Sequence, residues 1–340
     1  MHHFDHTTLE RYLSEHLPDF ETLDAIEKFS DGQSNPTYRL TSGQREFVLR
    51  AKPPGQLLKS AHAVDREFRV MEALARTDVP VPKVLHLSGE HSPLGPQFLV
   101  MEMVVGRIFW DPALPDISKS ERSKIYDEMN KTLAALHSVD PTAVGLDDFG
   151  KPGNYFERQL IRWSGQYQKT ATAPLPDADW LMAWLAETLV TDDGSMCIVH
   201  GDYRIDNMIF SPSETSVCAV LDWELSTLGH PLADLAYQCM HWRLAHQGHF
   251  RGLRGVDRAT IGLPDEATYV AQYCERRGIA RPENWAFYVV FSYFRLLAIL
   301  QGVYRRGLEG NASNPKDMER LRPIISQMAR DARDLAHRNS

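Results

Sequence analysis

Leu9, Tyr12, Leu13 and Leu17 fall on one side of a helical wheel, so residues 7–17 read as a short amphipathic helix. Residues 26–29 then begin a strand, residues 30–36 form a small polar turn around Gly32 and Ser34, and residues 37–40 resume extended structure. Residues 45–50 read as the next strand, with Phe47 and Leu49 on one face and Val48 and Arg50 on the other. Val64, Phe68, Met71 and Ala75 recur at helical spacing, which predicts a helix over residues 62–76 with Glu67 on its flank. Residues 96–105 form a strongly apolar strand closed by Gly106. Beyond it the pattern is mostly helical: residues 120–137, with Ile125, Met129, Leu133 and Leu136 inward, then 155–168, 179–188, 265–277, 282–304 and 317–335. Residues 142–151 and 256–263 read as loops. Two short apolar runs interrupt the helical part, Ile198 with Val199 and Ala219 to Leu221, and each leads to a carboxylate.

A chain of 340 residues can bury a large core in one two-lobed unit or two domains. Its 43% hydrophobic and 24% charged residues are those of an ordinary globular protein. The net charge of −8 argues against a nucleic-acid partner and mildly suits a cationic substrate. Cys197, Cys218, Cys239 and Cys274 show no CxxC spacing and read as reduced, mostly buried thiols. Met1-His2-His3-Phe4-Asp5 has no basic, apolar leader, and a cytoplasmic location is expected. The most membrane-like stretch, residues 285–304, carries Ser292 and Arg295 near its middle, so a buried core helix is expected there and no membrane association. His246 and His249 share a helical face, but no third ligand follows at zinc-site spacing.

The chemistry gathers between Ile198 and Asp222. His200-Gly201-Asp202-Tyr203-Arg204-Ile205-Asp206-Asn207 links the two apolar runs, and Leu221-Asp222-Trp223-Glu224 closes the second. Phosphoryl transfer needs a carboxylate at the acceptor hydroxyl and a few oxygen ligands for magnesium at the phosphates. Asp202 can meet the first need; Asn207 and Asp222 can meet the second.

His200-Gly201-Asp202 with Asn207, followed by Leu221-Asp222, resembles the aminoglycoside phosphotransferase and choline kinase-like family, small-molecule relatives of the protein kinases. The resemblance implies an α+β, protein kinase-like two-lobe fold. Residues 1–105 would form an N-lobe of antiparallel sheet plus helix, and residues 106–340 a mostly helical C-lobe. It also implies ATP and Mg2+ as cofactors and a small-molecule hydroxyl as acceptor. Asp202 and Arg204 become the catalytic candidates, and Asn207 and Asp222 the metal ligands. Gly32 and Ser34 would cover the phosphates. Arg50 or Lys52, oriented by Glu67, would hold them. Adenine would meet the backbone of Glu102 and Val104 with Met101 behind it. Gly201 stands where protein kinases carry Arg, and Trp223-Glu224 replace Phe-Gly. Asp234, in Gly229-His230-Pro231-Leu232-Ala233-Asp234, matches a residue that starts a helix and braces the catalytic loop; His137 matches a structural Leu-His helix ending. Tyr155, Arg158, Arg162 and Trp163 would line the acceptor pocket or serve only in packing.

Arg50-Ala51-Lys52-Pro53-Pro54-Gly55, Ser60-Ala61-His62-Ala63-Val64 and Asp222-Trp223-Glu224 are most similar to a subgroup associated with acyl-CoA dehydrogenases. That subgroup implies a hydroxyacyl metabolite or hydroxyacyl-CoA as acceptor; an aminoglycoside or amino alcohol is the alternative, and a nucleotide-binding pseudokinase a third. No flavin fingerprint is recognised, so dehydrogenase chemistry is not expected.

Overall fold

In the computed structural model, residues 5–29, 35–53, 63–90, 92, 95–151, 153–247, 250–309 and 318–338 are described. The chain divides into two compact units, each built from several stretches.

The first unit comprises Met1–Ile108, Thr142–Leu146 and Asn207–Ser226. It opens with helix α1 (His6–His16), whose first turn is capped by the Asp5 carboxylate accepting from the Thr8 amide. Strands β1 (Ala25–Lys28), β2 (Thr37–Ser42), β3 (Arg45–Ala51), β4 (Val84–Leu87) and β5 (Phe98–Glu102) form an antiparallel sheet in the order β1-β2-β3-β5-β4. Period-two alternation sorts β3 as expected. Phe47 and Leu49 join Leu9, Leu13, Leu40, Phe98 and Val100 in one core, while Arg50 faces away from it. Helix α2 (Val64–Leu74) buries Val64, Glu67, Val70, Met71 and Leu74. Glu67 is therefore not on the flank: it lies three residues after Val64 and four before Met71, in the middle of the buried stripe.

The same unit takes in a later hairpin, the sixth and seventh of its strands, β7 (Met208–Phe210) and β8 (Val217–Val220), which follow β6 (Cys197–Val199) of the second unit in sequence. Gly106 lies so close to this hairpin that a Cβ there would stand 2.2 Å from the Phe210 carbonyl oxygen. The backbone N–H of Arg107 donates to that carbonyl at 2.8 Å, and the Phe210 N–H donates back to Arg107 at 2.9 Å. The sequence suggests a boundary at residue 105; the first compact unit runs to Ile108 and also takes in the later stretches Thr142–Leu146 and Asn207–Ser226.

The second unit comprises Phe109–Pro141, Asp147–Asp206 and Thr227–Ser340. It contains helices α3 (Lys119–Ser138), α4 (Tyr155–Thr170), α5 (Pro176–Glu187), α6 (Leu232–Trp242), α7 (Arg258–Ile261), α8 (Glu266–Arg277), α9 (Trp285–Leu308) and α10 (Met318–His337), and the antiparallel pair β6 (Cys197–Val199) with β9 (Thr227–Gly229). Helix α7 is one turn inside the stretch expected to be loop; the Asp257 side chain accepts from the Thr260 amide and starts it. Helix α9 is long and apolar enough to cross a membrane by length and composition, yet 83% of its most apolar window is buried within the chain, against α4, α6 and α10. The four cysteines are free.

Candidate active site

Within the first unit the site begins at Arg50. Its position on β3 turns the side chain away from the aromatic core and toward α2. The guanidinium Nε lies 2.8 Å from Glu67 Oε2 in an ion pair, and Nη2 reaches Asp222 Oδ1 at 2.5 Å and Glu224 Oε2 at 3.7 Å. Asn35, 2% exposed, donates from Nδ2 to Glu67 Oε1 at 2.8 Å. Burial pushes the Glu67 carboxyl up to about 7, against the lowering effect of Arg50; Asp222 adds to the rise. The three carboxylates hold the Arg50 guanidinium firmly charged despite its burial. Lys52 Nζ donates to Gln97 Oε1 at 2.7 Å and lies 3.3 Å from Asp65. Of the two cations, Arg50 is the one paired with Glu67.

Asp222 follows β8 and starts a 3-10 turn, Trp223–Leu225. Its backbone is left-handed, with φ 65° and ψ 57°. Such a conformation costs a non-glycine residue roughly 1–3 kcal/mol and is retained where the surroundings fix it. Here the buried Trp223, whose Nε1 donates to the Val220 carbonyl at 2.9 Å, fixes the turn. The Leu221 amide donates to the Asn207 carbonyl at 2.8 Å, which brings Asn207 to the mouth of the β7–β8 hairpin one residue from Asp222. Among the described residues no group of three or more His, Cys, Asp or Glu is arranged to hold a metal alone. Two oxygen donors beside an excess of carboxylate fit magnesium, which keeps waters and shares phosphate oxygens.

At the end of β5, Met101 is 9% exposed and paired with Val48 and Val84. The Glu102 amide donates to the Lys83 carbonyl at 2.9 Å, and its carboxylate lies near Lys83 and Arg45. The Val104 amide has no acceptor among the described residues. An open donor just past a sheet edge is what backbone recognition of a purine ring requires. Gly32 and Ser34 lie outside the described residues.

In the second unit Asp202 follows β6. The Asp234 carboxylate accepts from the His200 amide at 2.6 Å and the Gly201 amide at 2.8 Å, and stands 3.3 Å from His137 Nε2. His137 Nδ1 in turn lies 2.6 Å from the Tyr273 hydroxyl. Asp234 therefore does not cap its own helix: α6 starts at Leu232, after Pro231, and the carboxylate is spent on the loop. Gly201 adopts φ +87°, open to glycine at little cost, which carries the chain from this brace to Asp202. The Asp202 amide donates to His200 Nδ1 at 3.1 Å. Burial would raise the Asp202 carboxyl, but Arg204, His241, His200 and a hydrogen bond from Tyr237 bring it down to about 2. Arg204 Nε is 3.2 Å from Asp202 Oδ1, and Nη1 is 3.2 Å from Asp206 Oδ2. Burial first and Arg204 second push His241 down to about 3, so it is neutral near pH 7.

Four residues escaped the sequence reading. Asn35 sat in a turn whose polar residues looked interchangeable, and Glu224 looked like a mere departure from Phe-Gly. Tyr237, hydrogen-bonded to Asp202, and Arg295, on α9, carry no local motif. A charged residue amid the apolar run of residues 285–304 was the one available signal for Arg295.

Comparison with known proteins supplies independent findings. Residues 25–269 match the family model described as "Phosphotransferase enzyme family". The mouse protein named acyl-CoA dehydrogenase family member 10 is 46% identical over 309 residues, covering 90% of this chain but 29% of its own length. The chain spans less than half the length of the curated relatives it matches, 29–44%. A solved structure from Ralstonia eutropha, provisionally described as an aminoglycoside phosphotransferase, is 45% identical with a TM-score of 0.86, covering 99% of both chains. An aminoglycoside 2'-phosphotransferase solved with GDP is 12% identical with a TM-score of 0.64, covering 96% of this chain and 99% of that one, and shares the fold. The fold is thus the kinase-like α+β fold of aminoglycoside phosphotransferases.

Proposed function

The chain belongs to the phosphotransferase enzyme family, and we propose that it moves the γ-phosphoryl group of ATP to the hydroxyl of a small molecule, with a hydroxylated acyl compound as acceptor. The observation that carries this reading is the buried Glu67–Arg50 pair continued to Asp222. A fixed cation joined to a carboxylate ligand is what a site for a metal-bound polyphosphate needs.

In this reading Asp202 accepts a hydrogen bond from the acceptor hydroxyl and takes its proton as the new P–O bond forms and the bond to the β-phosphate oxygen breaks, leaving ADP. A carboxyl held down near 2 is a weak base, so its main contribution is orientation and negative charge facing the hydroxyl. Arg204 fixes the Asp202 carboxylate and adds positive charge near the transferring group. Arg50 binds the α- and β-phosphates, aligned by Glu67. The Val104 amide and Glu102 carbonyl meet the adenine edge. Magnesium, held by Asn207 and Asp222, would neutralise charge on the phosphate oxygens.

The acyl acceptor is supported by the company such chains keep: relatives more than twice as long carry acyl-CoA dehydrogenase names. The test is ADP release with Mg-ATP over hydroxyacyl-CoAs, hydroxy acids, amino alcohols, sugars and aminoglycosides, with Asp202→Asn as control. Turnover of a hydroxyacyl compound, lost in the variant, supports the reading. Turnover confined to aminoglycosides or amino alcohols overturns the acceptor class, and nucleotide binding with no turnover throughout points to a pseudokinase.

A further inference from the structure

Arg295 stands in the middle of α9, a helix otherwise apolar over most of its length, and is only 6% exposed. Among the described residues it has no carboxylate partner and no hydrogen-bond acceptor. Its guanidinium is instead held by two aromatic faces, with Cζ 5.7 Å from the Trp163 ring centre and 5.0 Å from that of Tyr237. Cation–π contacts offset part of the cost of burying such a charge, but they satisfy none of its five N–H donors. A charge this deeply set with no acid beside it is costly, and an anionic ligand would offset that cost.

The surroundings share this excess of donors. Arg162 lies over the same indole, with Cζ 4.9 Å from the ring centre, and it too has no carboxylate partner among the described residues. Burial and repulsion from Arg295 both depress its pKa. The Trp163 Nε1 donor is buried without an acceptor. Asp202 lies across Tyr237 in the same network and is already bound by Arg204. Two guanidiniums on one tryptophan, neither with a carboxylate partner among the described residues, form an electropositive corner inside a chain whose net charge is −8.

The geometry points to an anion subsite at Arg295, flanked by Arg162 and Trp163, that binds a negatively charged group of the phosphoryl acceptor, a carboxylate or a phosphate ester. Tyr237 joins the two functions: its ring lies under Arg295 and it helps hold the Asp202 carboxyl down. An acceptor anchored at Arg295 therefore has its hydroxyl placed one aromatic ring away, at the carboxylate. The location beside the reacting hydroxyl rests on the phosphotransferase reading; the anion subsite itself does not. Polycationic acceptors such as aminoglycosides are disfavoured by the same charges.

The test is calorimetric binding without nucleotide, using 3-hydroxybutyrate, its uncharged methyl ester and 3-hydroxybutyryl-CoA, on wild type, Arg295→Met, Arg295→Lys and Arg162→Met. At least one anionic probe should bind wild type, with the methyl ester at least tenfold weaker. Binding of that probe should fall at least tenfold in Arg295→Met and recover in part in Arg295→Lys. Preference for the free acid identifies a carboxylate, and preference for the thioester identifies phosphate. Melting temperature is the second readout: Arg295→Met removes an unpaired buried charge and should melt at or above wild type, whereas a merely structural Arg295 would melt lower. A methyl ester that binds as tightly as the best anionic probe, no anionic probe bound, or unchanged affinity for that probe in Arg295→Met overturns the subsite. Should Arg295→Met fail to fold, Arg162→Met and Arg295→Lys carry the same comparison. Failure of the phosphotransferase reading would look different, as intact anion binding with no Mg-ATP turnover.

Discussion

Arg50 pairs with Glu67 as an ion pair, Nε 2.8 Å from Oε2, and Glu67 is only 2% exposed. The pair is buried, so removing one partner strands the other. Glu67→Ala is expected to cost roughly 3–5 kcal/mol of stability, the range for breaking a buried ion pair, read as a lower denaturation midpoint. Arg50→Lys keeps the charge but loses the fork that spans Glu67 and Asp222. Losing a charged hydrogen bond of about 1.5–3 kcal/mol should raise the KM for ATP roughly tenfold to a hundredfold, measured by ADP release.

The same carboxyl sets a pH dependence. Burial lifts Glu67 from an ordinary 4.5 to about 7 in the folded chain. The folded state therefore binds more protons than the unfolded state between those values, and stability falls as pH rises through that window. Glu67→Gln, which does not titrate, should flatten the melting temperature between pH 4.5 and 7. If the charged form is what aligns Arg50, wild-type kcat/KM should also decline below about pH 7, and that limb should vanish in Glu67→Gln. A wild-type limb retained in the variant would assign it elsewhere.

Much of this site was legible in the sequence because local chemistry constrained it. The Asp202, Asn207 and Asp222 spacing, the alternation that turned Arg50 from the core, and the helix carrying Glu67 all lie within short windows. What joins them does not: Arg50 and Asp222 are 172 positions apart, and Asn35 and Glu67 are 32 apart. On sequence alone Glu67 reads as a flank residue, since a carboxylate is seldom buried; the Arg50 guanidinium and the Asn35 amide from elsewhere in the chain make the buried position tolerable. Arg295 was legible as an oddity in an apolar helix, but its lack of an acid partner is a property of the packed unit.

Asp234 is the brace of the loop that carries Asp202. Its two oxygens accept from the buried amides of His200 and Gly201 at 2.6 and 2.8 Å. Asp234→Ala leaves both donors unpaired, at about 1–3 kcal/mol each, so a clear drop in melting temperature is expected together with lost turnover. Asp234→Asn keeps one acceptor oxygen and should be milder on both counts. Hydrogen bonds from His137 and the Gly201 amide hold Asp234 below its ordinary 3.8 despite burial. Its contribution is thus fully present above that value and is lost as pH falls through the lower folded value, which adds to acid unfolding.

Arg204 and Asp202 can be separated by how each changes the acid side of the rate profile. Asp202→Asn keeps the shape but loses the charge that orients the hydroxyl, so kcat should fall by about 10²–10⁴, the usual share of acid–base catalysis, while ATP affinity by calorimetry stays within a few-fold. Loss of ATP binding as well would count against the role. Arg204→Gln acts through Asp202. Arg204 is the largest of the influences that lower this carboxyl to about 2 against burial. Without that cation, burial pushes the carboxyl upward, and protonation of Asp202 enters the measurable range. The variant should gain an acid limb in kcat absent from the wild type at that position, and addition of Asp202→Asn should remove it. A uniformly lower kcat with no new limb would place Arg204 on the phosphate instead of on Asp202.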